Sequence, residues 1–355
     1  MRLHNNKEEF AKLLNYLSEE TSIREDVLEK DYYVSLLLAE IAQKQSETPM
    51  YFKGGTALYK IAEEMRRFSE DIDLTVQVKG LNGSQSKKRL EKASVKFESL
   101  NRLKGDEMEE NRKGSITAVY NYETIYPVRM DTLQRFGKVK VETTSFTVSD
   151  PTKKYTISPL IYKLADEQVK TLLKERYECV PFEIEAISLK RMFADKVLAG
   201  EFYVNRKEYF DVAKHIYDIH FLLSFPEIQK MLESDESLIT NFSYKRIEEL
   251  SRIGSDLHSK PLNSLQIFDV IKSDVLKEDY NKMMYIYVFQ DAFRIPFEEI
   301  QKSFALLQSR LCEISNKELA YIHSDDFKKK CEYYDVEYYN CTNEFLKNNH
   351  AEIYR

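Results

Sequence analysis

Tryptophan is absent from this 355-residue chain, and glycine (9) and proline (8) are scarce. The missing tryptophan excludes nothing, but so few backbone breakers argue against a loop-rich sandwich and for many helices. The only cysteines are Cys179, Cys312, Cys331 and Cys341, with no CxxC pair and no histidine at ligand spacing. They read as free thiols in a reducing cytoplasm, and the six histidines form no metal-ligand pattern. No run approaches the ~18 charge-free apolar residues of a membrane span. The N-terminal MRLHNNKEEFAKLL lacks the apolar core and small-residue cleavage site of a signal peptide. A cytoplasmic protein without a membrane segment is therefore expected.

An excess of positive charge is lacking too. Lys and Arg number 53 against 59 Asp and Glu, a net of −6, which excludes a protein that coats nucleic acid by bulk charge. The imbalance is local: residues 226–355 hold 17 Lys and Arg against 23 Asp and Glu, while residues 1–225 hold 36 of each. An RNA substrate thus remains compatible with the first part, and the acidic second part suits a basic partner.

What is present is a change of period along the chain. Residues 7–44 read as two helices, the first with Phe10, Leu13, Leu14 and Leu17 on one face, the second from near Ser22 with Val27, Leu28, Tyr32, Leu36 and Ile41. Met50–Phe52 is a short apolar run, Gly54-Gly55 breaks it, and a helical stretch from Thr56 to Met65 follows. Residues 71–78 alternate with period 2, as a strand does. A helix is expected over 84–104, carrying seven Lys and Arg against two Glu, then strands over 116–126 and 138–146. From Leu160 the pattern is helical except for a strand-like 182–187, with helices near 188–199 and 208–223. These readings predict an α+β protein: N-terminal helices in 1–45, a core with a small mixed sheet in 46–150, a helical extension in 151–225 and a helical domain in 226–355.

Chemistry concentrates in Lys53-Gly54-Gly55-Thr56-Ala57-Leu58 and Arg67-Phe68-Ser69-Glu70-Asp71-Ile72-Asp73-Leu74. Two glycines between a strand and a helix let the backbone approach a ligand, and a helix starting at Thr56 presents N–H groups to a phosphate. Asp71 and Asp73, two apart on a strand, share a face and fit Mg²⁺, which takes one or two carboxylates plus substrate phosphates. An anion cradle ahead of a carboxylate pair is what metal-assisted phosphoryl or nucleotidyl transfer needs. Glu142, on the polar face of Val139–Thr143, is the third carboxylate expected, with Asp131 next in line. Farther on, Asp211, Lys214, His215 and Asp218 fall at i, i+3, i+4 and i+7 on one polar helix face.

The two glycine- and aspartate-bearing stretches resemble the nucleotidyltransferase family of AbiEii/AbiGii toxins, within the superfamily that has the DNA polymerase β-like nucleotidyltransferase fold. Glu29-Lys30-Asp31-Tyr32 is similar to that family's EKDY segment, and Lys214-His215-Ile216-Tyr217-Asp218 to its Arg-His-x-Tyr-Asp segment, with Lys where Arg is common. The resemblance implies that Asp71 and Asp73 bind metal with Glu142, and that Gly54, Gly55, Thr56 and Ser69 hold the nucleotide. It implies that Lys196 offsets charge on the triphosphate, and that Asp218 orients that lysine or moves a proton. It further implies an Mg²⁺-dependent toxin that uses an NTP, acts on an RNA (tRNA included) or a protein, and is neutralised by an antitoxin. Residues 84–104 and Lys153-Lys154 are where RNA phosphates would be met. A nucleotide-sensing module without transfer, and a housekeeping small-molecule nucleotidyltransferase, are compatible with the same core.

Overall fold

In the computed structural model, residues 2–62, 66–126, 136–252 and 254–338 are described. The chain forms two compact units, Met1–Ser188 with Glu278–Phe297, and Leu189–Lys277 with Glu298–Arg355. No helix among the described residues is long and apolar enough to cross a membrane.

The first unit begins with helices α1 (Lys7–Thr21) and α2 (Glu25–Lys44). Asn6 caps α1 by accepting from the Glu9 amide, and Ser22 ends it in the left-handed region. Eight strands follow among the described residues: β1 (Met50–Lys53), β2 (Ile72–Val76), β3 (Asn101–Arg102), β4 (Glu110–Arg112), β5 (Ser115–Asn121), β6 (Lys138–Thr144), β7 (Thr152–Ile157) and β8 (Phe182–Ile187). They make one mixed sheet in the order β3-β5-β6-β2-β1-β8-β7, with β4 also on β5. Pairs β2–β6 and β1–β8 are parallel and the others antiparallel. Helices α3 (Gly54–Ile61), α4 (Gly83–Val95), α5 (Leu160–Lys163) and α6 (Glu167–Tyr177) also belong to the unit.

Alternation decides which sheet face is core. Phe52, Ile72, Leu74, Val139, Val141, Ile116 and Tyr120 are buried on one side, under α2 and α4, where the Tyr120 hydroxyl donates to the Ser94 carbonyl at 2.6 Å. The opposite face carries Lys53, Asp73, Lys140, Glu142 and Thr144.

Two expectations are corrected. The helix expected over 84–104 ends at Val95, because the Glu40 carboxylate takes the amides of Glu98 (2.9 and 3.0 Å) and Ser99 (2.8 Å) and Asn101-Arg102 joins the sheet as β3. Competing side-chain and strand partners thus replace the next helical turn. Lys153 and Lys154 lie on a strand, β7, whose alternation is hidden because it is a sheet edge with both lysines exposed.

The second unit is helical: α7 (Leu189–Asn205), α8 (Tyr209–Leu222), α9 (Pro226–Leu232), α10 (Asp235–Leu250), α11 (Ile267–Val270), the start of α12 (Asp274–Tyr287), α13 (Phe297–Ile322) and α14 (Asp325–Tyr333). Buried ion pairs link its helices: Arg191 to Glu248 joins α7 to α10, and Arg246 to Glu318 (2.9 Å) joins α10 to α13. The rest of α12 belongs to the first unit, where Phe68 N–H donates to the Tyr287 carbonyl at 2.7 Å.

Candidate active site

Strand register builds the centre of the site. Lys53 pairs with Asp73, Asp73 with Glu142, and Glu142 with Thr117, so four neighbouring strands place one row of side chains on the same face. Asp71 stands just before β2. The Lys140 ammonium lies 3.1 Å from Asp71 Oδ2 and 2.5 Å from Glu142 Oε1, with 18% of the Lys140 side chain, 24% of Asp71 and 38% of Glu142 exposed. The cluster is therefore reachable by a ligand. Burial, with Glu142 and then Asp71 as like charges beside it, pushes the Asp73 carboxyl up to about 7, against the pull of Lys53 and Lys140.

The glycine turn is shaped by these neighbours. Gly54 has φ of +83°, and a Cβ there would fall 2.9 Å from Asp73 Cγ and collide with Oδ2. A Cβ on Gly55 would stand 2.8 Å from Ser69 Oγ and 2.9 Å from Arg67 Nη2. Thr56 Oγ1 donates to Ser69 Oγ at 3.1 Å, and Lys53 Nζ donates to Thr144 Oγ1 at 3.2 Å. No side chain caps the N-terminus of α3. Its first residue, Gly54, lies against Asp73, and the uncapped start of a helix beside such a turn suits phosphate.

A buried polar cluster on α2 holds both halves in place, and sequence reasoning did not assign it a role. Asp31 accepts from Tyr59 OH at 2.6 Å and from the Leu160 amide at 2.7 Å, and pairs with Lys60 at 2.6 Å. Tyr59 and Lys60 sit in the last turn of α3, so Asp31 anchors the helix whose other end carries the glycine turn. Lys30 pairs with Glu70 at 3.3 Å and donates to the Lys138 carbonyl, tying the loop before Asp71 to the start of β6. Glu29 accepts from the Ile125 amide at 2.7 Å, and burial pushes its carboxyl up to about 7. The available signal was Glu-Lys-Asp lodged between Val27-Leu28 and Tyr32-Tyr33: three charges inside an apolar run need partners.

In the second unit, Lys196 Nζ lies 2.6 Å from Asp218 Oδ2, with 11% and 3% of the two side chains exposed. The polar face expected on α8 divides. Asp211 and Lys214 pair at 3.0 Å, His215 stacks on Tyr203, and Asp218 turns inward. Asp131 lies outside the described residues.

Three carboxylates on one face are hard oxygen donors, the chemistry a divalent cation such as Mg²⁺ takes. Among the described residues no three acidic, His or Cys donors are gathered around one point. The ammonium of Lys140 stands where Asp71 and Glu142 meet. The donor chemistry suits such an ion, but the three carboxylates do not converge on one point while the lysine lies against two of them.

The sequence model described as "Nucleotidyl transferase AbiEii toxin, Type IV TA system" matches residues 36–294. Among solved structures, MenT4, a nucleotidyltransferase toxin from Mycobacterium tuberculosis H37Rv, superimposes with a TM-score of 0.51 at 14% identity, covering 90% of this chain and 97% of that one. At that identity the likeness is one of fold. No curated protein sequence is significantly similar to this chain.

Proposed function

Because the chain belongs to the AbiEii family of type IV nucleotidyltransferase toxins, we propose that it transfers a nucleotide from an NTP, with Mg²⁺, to an RNA such as tRNA or to a protein. On this reading it works in the cytoplasm, in abortive infection against phage, and a separately encoded antitoxin silences it. The observation that carries the chemistry is the register of Asp73 with Glu142 beside the uncapped, glycine-opened start of α3.

The amides of Gly54, Gly55 and Thr56 bind triphosphate oxygens, with the Ser69 hydroxyl as a further donor. Gly54 is essential because a side chain there would displace Asp73. Asp71, Asp73 and Glu142 would hold Mg²⁺, which when bound supplies charge neutralisation at the transferring phosphorus and acidifies the attacking hydroxyl. Lys53, on the same row as Asp73, adds positive charge beside the phosphates. By resemblance to the family, Lys196, which pairs with Asp218 inside the second unit, is assigned to the charge that builds on the leaving pyrophosphate. The exposed lysines 87, 88 and 92 of α4 and Lys153-Lys154 are the proposed contacts for an RNA backbone.

Labelled NTPs incubated with purified protein and either total RNA or RNA-free lysate test this. Transfer by the wild type that vanishes in Asp71→Asn/Asp73→Asn, together with growth arrest lost in the same variant, is expected. Equal labelling by wild type and variant would sink the enzymatic reading.

A further inference from the structure

We propose that Lys140 is the internal counter-ion of the carboxylate site: its ammonium holds the place between Asp71 and Glu142 and must leave before a divalent cation can enter. The inference rests on the metal-assisted reading above.

Lys140 and Glu142 are two apart on β6 and share its polar face, and Glu142 lies directly beside Asp73. Three carboxylates on one small surface repel, and the Lys140 ammonium makes contact with two of them at once, at 3.1 and 2.5 Å. Its side chain is only 18% exposed, so the contact belongs to the interior of the cluster and not to a mobile surface lysine. An octahedral Mg²⁺ needs carboxylate oxygens at roughly 2.0–2.1 Å. An ammonium nitrogen 2.5 Å from a Glu142 oxygen occupies that space and repels the incoming charge.

Free metal therefore competes with a tethered cation that is always present. A metal–NTP complex has an advantage, because its phosphates offer the displaced ammonium a new partner, within reach of a flexible four-carbon stem. The idle protein takes up little free divalent ion, and metal and nucleotide load together.

Titration of the full chain with MnCl₂ alone, by calorimetry, tests the role of Lys140. Lys140→Met and Lys140→Gln are expected to bind Mn²⁺ at least about tenfold more tightly than wild type, as removal of a like charge within a few ångströms implies. Metal-free, both variants are expected to melt below wild type and to gain more on adding Mn²⁺. Asp73→Asn should abolish the binding, which locates it. The glutamine variant keeps a polar side chain on the strand, should methionine impair folding. Binding that depends on Asp73 but is equally tight with and without Lys140 would overturn the counter-ion role and leave the metal reading standing. No Mn²⁺ binding by wild type or either Lys140 variant would overturn both.

Discussion

Gly54 and Asp73 share one space: the carboxylate of Asp73 fills the volume that a side chain on Gly54 would need. The glycine is required twice over, by this close approach and by its φ of +83°. Gly54→Ala should lower stability by about 1–2 kcal/mol from the left-handed backbone alone. It should also cut transfer by roughly 100-fold or more, since Asp73 has to move. Gly83→Ala, where nothing lies within 4 Å, is the control expected to change neither. Thermal melting and labelled-NTP transfer measure the two effects.

Glu29 makes stability depend on pH. Its folded-state carboxyl is pushed up to about 7 by burial, so the folded protein holds a proton that the unfolded chain has released. Stability is full below pH ~4.5 and is lost as pH rises through 7. Glu29→Gln keeps the acceptor for the Ile125 amide and removes the titration. At pH 8 the variant should be more stable than wild type by up to about 3 kcal/mol, with the gap closing at pH 5. Denaturant melts at the two pH values decide it; a gap independent of pH would refute the assignment.

Asp31 and Lys60 form a fully buried pair, 2.6 Å apart, with Lys60 at the end of α3 away from the glycine turn. Lys60→Met should destabilise by about 3–5 kcal/mol, because it leaves the Asp31 charge buried without its cation. Asp31→Asn/Lys60→Met should recover part of that loss, being neutral at both positions. Chemical denaturation of the four members of the cycle reads the coupling; strictly additive effects would mean that the pair does not act as one.

Lys196 and Asp218 should behave as a unit in catalysis. With 2.6 Å between them and both largely covered, the carboxylate holds the ammonium in one place. Asp218→Asn is expected to lower kcat by about 10–100-fold and Lys196→Ala by more, while the double variant is no worse than Lys196→Ala alone. Multiplicative losses in the double variant would show separate roles.

The carboxylates and glycines of the candidate site stand out in the sequence because each stands in a local pattern. Gly54-Gly55 interrupts an apolar run, and Asp73 alternates with Ile72 and Leu74. Glu142 was legible as the polar face of a strand, but its neighbour was not, since parallel pairing of β2 with β6 joins segments about 70 residues apart. The helix over 84–104 was overextended because Phe97 and Leu100 keep its spacing, while Glu40, on α2, and the pairing of Asn101-Arg102 with β5 end it from a distance. Lys140 carried no signal at all: a lysine on the polar face of an amphipathic strand looks solvated until register sets it between two acids.

Periodicity and turn chemistry are short-range properties, so the sequence by itself determined the α+β class, the strand–glycine–helix turn and the spacing of the acidic pair. Tertiary structure alone decided that Asp73 lies beside Glu142, that Lys140 enters their cluster, and that Glu29, Lys30 and Asp31 are buried supports. Those outcomes depend on which strands pair and on which charges find partners away from water. A buried charge or a shared acidic face is defined only once distant segments meet.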